Sequence, residues 1–236
     1  MSTKSFIINL PIITGDQDRR RLQKSFSFGC NLQNAVMGGG WDRVQQMRAT
    51  PEWQAARVMP KGKERTQAFR DLRIRFRLSE YDFHADVAQH RKASGRGHLL
   101  GINECQKIAS RAWISVERHI YKGGSPRFIS SKRGLHSVEG KTNKTGIIWK
   151  AEKSVFKFAG HTYRVRINKH DDWLTRALQD PTDPAKPRKV KYCRIVRNVR
   201  KGKECFDLQL IAEGTSPLKH AYAGKDLRMA IDPGLG

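Results

Sequence analysis

The carboxylate with the clearest chemical setting in this sequence is Asp232, in the stretch Arg228 to Gly236, "RMAIDPGLG". A short apolar strand that ends on an acid and a Pro-Gly turn can hold Mg²⁺, because a strand fixes the ligand and hard cations prefer oxygen. One carboxylate is not a site. Two-metal phosphodiester cleavage needs about two or three more acidic ligands converging on ions about 4 Å apart. An Asp ahead of Pro-Gly is equally an ordinary turn residue.

Other side chains offer less. His84, His90 and His98 have no Ser, Cys or carboxylate at a spacing that suggests catalysis, so surface or packing roles are expected. Gly38-Gly39-Gly40 and "GRG" at 95–97 are not followed by Lys-Ser/Thr, so no P-loop is present. Cys30, Cys105, Cys193 and Cys205 are widely spaced, with no C-x-x-C pair. Reduced thiols are expected, and no zinc.

Charge is the dominant signal: 46 Lys+Arg stand against 22 Asp+Glu, a formal net charge of +24 spread along all 236 residues. A polyanionic partner is expected, with binding that falls steeply as salt rises. Lys107, Arg111, Arg118 and Lys122 fall on one helix face, where they either follow a phosphate backbone or form a solvated surface. Arg164 and Arg166 project from one side of an alternating segment. Phe76, Tyr81 and Tyr163 interleave with basic residues and either stack on unpaired bases or belong to the core. No helix-turn-helix, zinc-finger or RNP pattern occurs, so base reading by the protein is not expected. The sequence contains no run of about 18 apolar residues and no signal-peptide pattern, so a cytoplasmic protein with no membrane partner is expected.

The elements that must position these groups follow from hydrophobic period. "KSFIINLPII" alternates as a strand. Leu22, Phe26, Cys30, Gln33 and Met37 have helical spacing over 16–37, and the three glycines at 38–40 are expected to end that helix. A second helix is predicted over 64–90. A third follows in "INECQKIASRAWISVERHIYKGG", with Ile102, Cys105, Ala109, Ala112, Val116 and Ile120 as its buried stripe. After Pro126 the period becomes alternating. "SVFKFAGHTYRVRIN" reads as a hairpin with Tyr163, Val165 and Ile167 inward, and "VKYCRIV" with "ECFDLQLIAEG" as a second, with Phe206, Leu208 and Leu210 inward. An opening strand separated from the later strands by helices implies an α+β fold in which a helical block is inserted into a β domain.

The order of these pieces resembles the N-terminal half of TnpB proteins and the related small type V CRISPR effectors. The resemblance rests on "KSFIINLP", the helical insertion, "QKIASRAW" leading to "GGSPRF", the basic β region "VKYCRIVRNVRKGKECFDLQLIAEG", and "MAIDPGLG". It implies a wedge β-barrel with its first strand in 1–14 and its remainder in 125–226. A helical recognition lobe would occupy 15–124, and 227–236 would begin a RuvC-like nuclease domain of RNase H fold. It further implies a guide RNA, double-stranded target DNA, an RNA–DNA heteroduplex, and Mg²⁺ held in a complete nuclease by Asp232 with other carboxylates. Base pairing by the RNA would then supply specificity. Only four residues follow Asp232, so the expectation is guided binding without cleavage by this chain alone, with a separate nuclease half as a possible partner. The alternatives are a nuclease-dead RNA-guided transcriptional regulator and a guide-independent basic RNA-binding protein.

Overall fold

A computed structural model describes residues 4–218. Asp232 and the segment 227–236 lie outside the described residues. The first strand, β1 (Ser5–Ile13), alternates as expected, with Ile8, Leu10 and Ile12 buried. A helical block follows: α1 (Asp16–Arg48), α2 (Pro51–Val58), α3 (Lys63–Arg75), α4 (Glu80–Ala93) and α5 (Ile102–Ile120). The chain then forms β2 (Ser137–Glu139), β3 (Ile148–Lys150), β4 (Val155–Phe158), β5 (His161–Val165), α6 (Asp172–Leu178), β6 (Val190–Arg200) and β7 (Lys203–Glu213).

The strands form one antiparallel sheet in the order β2-β6-β7-β1-β5-β4-β3. β1 sits at its centre, paired with β7 over Ser5–Pro11 and with β5 at Ile12 and Ile13. The helical block is therefore inserted in sequence between one central strand and all its partners. The sheet is open: β2 and β3 are its edges, so the strand ladder does not close into the expected barrel. Asn143 nonetheless ties the β3 edge to β6, the neighbour of the β2 edge. Its backbone N–H donates to Lys191 O of β6 (2.9 Å), while its Oδ1 accepts from Trp149 N of β3 (2.7 Å). Asn143 thus links two strands that the sheet order leaves unpaired.

The β6–β7 turn places Lys201 and Gly202 at positive φ (51° and 72°), the two-residue geometry that suits a twisted hairpin. It carries both strands further than hydrophobic alternation alone suggests, and Phe206, Leu208 and Leu210 point inward as read from sequence. Phe206 meets α1 through Phe26, edge to face at 5.4 Å. Buried residues of the helices and the sheet belong to one continuous hydrophobic cluster. No helix among the described residues is long and apolar enough to cross a membrane.

Three helix boundaries differ from expectation. The glycines at 38–40 do not stop α1, which runs on for 33 residues to Arg48. Gly40 instead permits close approach of α4, since a Cβ there would sit 2.1 Å from the Phe83 ring. The predicted helix over 64–90 is broken at Arg77 (φ 52°), and α4 restarts with a reciprocal cap between Ser79 and Asp82. Thr50 caps α2, whose first residue is Pro51.

Gly40 yields a prediction with an internal contrast. Gly40→Ala is expected to lose about 1–2 kcal/mol, because forcing Phe83 from a filled core outweighs alanine's helix preference of about 1 kcal/mol. Nothing lies within 4 Å of a Cβ at Gly39, so Gly39→Ala gains up to about 1 kcal/mol. Urea unfolding midpoints of the two variants should move in opposite directions, and movement in the same direction would contradict this packing.

Candidate nucleic-acid interface

The four bases on the α5 face divide into two pairs. Lys107 and Arg111 face β2, where Glu139 is largely buried opposite Arg194 of β6. Arg194 Nη2 lies 2.6 Å from Glu139 Oε2, Arg111 Nη2 lies 3.6 Å from the same oxygen, and Lys107 Nζ lies 3.5 Å from Oε1. Arg111 also donates to Ser137 O at 2.8 Å. Burial opposes charge on Glu139, but Arg194, Arg111 and Lys107 together outweigh it and hold its pKa below the usual value. Desolvation lowers the Arg111 pKa, an effect that Glu139 partly offsets. These two bases join α5 to the sheet. Arg118, further along the same face, and Lys122, two residues past the end of α5, are exposed and have no side-chain partner among the described residues.

The other two predicted bases lie on an outer sheet surface. Alternation on β5 buries Tyr163 and Val165 and exposes Arg164 and Arg166. Cross-strand register carries Lys150, Val155 and Arg164 across three strands in one row, with Lys157 opposite Thr162 in the next. Adjacent strands lie about 4.8 Å apart, and alternate residues of a strand about 6–7 Å apart. Lys150, Lys157, Arg164 and Arg166 are all exposed, and none has a side-chain partner among the described residues. Beneath them Trp149, Phe156, Phe158 and Tyr163 are buried, with the Phe156 and Tyr163 rings stacked at 5.1 Å. A buried aromatic layer thus underlies a basic surface. Arg164 and Arg166 are legible in the local alternation and Lys150 and Lys157 are not, because only the strand register places these lysines on the same side.

The aromatic candidates also separate. Tyr163 is core, and burial pushes its hydroxyl up to about 12. Phe76 is partly buried under Arg75, whereas Tyr81 is exposed. His84 does acquire polar neighbours that sequence spacing does not show: its Nε2 lies 2.9 Å from Ser110 Oγ, which donates to Glu80 Oε1 at 2.5 Å. The carboxylate accepts the hydroxyl proton directly and lies 3.6 Å from the same Nε2 that faces the serine instead of holding the other ring nitrogen, so this trio lacks the relay of an activated serine. All four cysteines are free thiols, and burial raises Cys105 and Cys193 to about 12, far from a reactive thiolate. Among the described residues no group of three or more His, Cys, Asp or Glu is placed to hold a metal ion.

The arrangement can therefore hold a polyanion electrostatically. No protein-family model matches the chain, and no curated protein matches its sequence.

Proposed function

We propose that this chain is the guide-RNA- and target-DNA-binding portion of an RNA-guided system of the TnpB type. The observation that carries this reading is the sheet face formed by Lys150, Lys157, Arg164 and Arg166, four exposed bases without side-chain partners among the described residues in a protein of net charge +24. Bases that have no internal ion pair serve solvation or an external anion, and a cluster of them on one sheet face fits a phosphate backbone. The helical block inserted after β1 adds support, because it agrees with the wedge-and-recognition organisation that the sequence resemblance implies. In this reading the sheet is the wedge and the helices form the recognition lobe. Asp232 and Mg²⁺ enter only as parts of a complete RuvC-like nuclease centre, and base pairing supplies sequence choice.

The test is to express the chain with its native flanking DNA, wash the purified protein at moderate salt and sequence the nucleic acid that remains. The expected result is one defined RNA species with a constant scaffold. A heterogeneous RNA mixture would overturn guided binding and leave a basic RNA-binding protein.

A further inference from the structure

Between α3, the turn that ends at Ser79 and the end of α5 lies a cavity of about 580 Å³. That volume falls within the roughly 300–1,000 Å³ of small-ligand sites. One stripe of α3 forms its first wall through Phe69, Arg70, Arg73 and Ile74, and Tyr121 forms another. Tyr121 is held in place by stacking on Trp53 (centroids 5.9 Å, 17°) and by an edge contact with Phe69 at 5.2 Å. It nevertheless stays 53% exposed. A pre-positioned aromatic ring is thus open to the cavity.

The charges are equally defined. Arg73 donates to Leu78 O at 3.2 Å, meets Glu117 at 3.3 Å and lies over the Trp113 ring, so its guanidinium is committed. The carboxylate lining the cavity, Asp82, is engaged by the Ser79 N–H and hydroxyl. Arg70 is exposed and has no partner among the described residues. Arg118 and Lys122, three residues before Tyr121 and one after it in the chain, are exposed and have no side-chain partner among the described residues either. A fixed aromatic ring and one uncommitted guanidinium on the wall, with two exposed cations close to that ring in sequence, suit a planar ring joined to a phosphate chain. A paired base cannot enter without leaving its stack.

We infer that this cavity accepts one unpaired base of a single-stranded nucleic acid, with the base against Tyr121 and its phosphate on Arg70. The inference goes beyond the function proposed above and requires no guide.

The probe is a short single-stranded RNA carrying one 2-aminopurine, titrated with the full chain. Quenching of the 2-aminopurine reads stacking, and anisotropy reads affinity. Wild-type protein is expected to quench the probe. Tyr121→Ala removes the quench and weakens binding about 5- to 100-fold, the range for loss of one base–aromatic stack. Tyr121→Phe retains both signals, and Arg70→Gln lowers affinity while the bound probe remains quenched. Circular dichroism melting identifies any variant that fails to fold, and Arg70→Gln, at an exposed site, still tests the cavity in that event. Absence of quenching by the wild-type protein, or a quench that survives Tyr121→Ala, overturns the inference. The double variant Arg164→Gln/Arg166→Gln separates the two readings. If it alone weakens binding and no quench occurs, the sheet interface stands and the cavity site falls.

Discussion

Glu139→Gln lowers the unfolding free energy by about 3 kcal/mol, with a corresponding fall in the urea midpoint. The substitution keeps the side-chain shape but leaves Lys107, Arg111 and Arg194 crowded around a neutral amide. Removing one partner of a buried ion pair costs about 3–5 kcal/mol. The low end applies because the three cations retain 39%, 32% and 29% of their side-chain exposure and water screens part of their repulsion. The sign of the pH dependence follows from the depressed pKa of Glu139. Its stabilisation is fully present above the usual carboxylate value of 4.5 and is lost as pH falls through the lower folded value. The wild-type protein should therefore lose in acid an increment of stability that Glu139→Gln has already lost at neutral pH. Equal urea midpoints at pH 7 would show that the cluster contributes nothing.

The second large effect concerns binding. Changing Lys150, Lys157, Arg164 and Arg166 together to Gln is expected to weaken single-stranded RNA binding about 100- to 1,000-fold near 0.1 M salt. Each phosphate neutralised on a single strand contributes about 0.7 to the slope of log affinity against log salt, so four contacts change that slope by about 3. All four side chains are exposed, so folding should be unaffected. The measurement is an anisotropy titration at several salt concentrations. A weaker affinity with an unchanged slope would mean that these bases do not meet phosphates. The corresponding change of Lys107 alone has a smaller expected effect, because its ammonium already faces Glu139.

Much of the architecture was legible in local pattern. The period of β1 and α5, the inward sets of the two hairpins and the insertion of helices after the first strand all follow from the alternation of apolar and polar residues. The signals missed at 50–51 and 79–82 are also present in the sequence: Thr50-Pro51 is a helix start, and Ser79 with Asp82 is a reciprocal cap. A longer periodic reading across 64–90 concealed the second of these. The glycines at 38–40 are different in kind, because glycine ends one helix and admits a neighbour to another. The presence of Phe83 beside Gly40 decides between the two, and that contact lies 43 positions further along the chain.

The strong positive charge, the mixed α+β order of elements and the outward direction of Arg164 and Arg166 are local properties of the chain, since each depends on composition or on a repeat of two or 3.6 residues. Which bases are available to a polyanion depends instead on how the elements pack. Lys107 and Arg118 lie on the same helical face, but β2 brings Glu139 to the first and no carboxylate among the described residues reaches the second. Strand register likewise places Lys150 and Lys157 beside Arg164, and helix packing turns Tyr121 into the wall of a cavity. The physical reason is common to all three cases: a side chain's charge or ring is a local property, whereas its freedom to meet a ligand depends on neighbours that are remote in sequence.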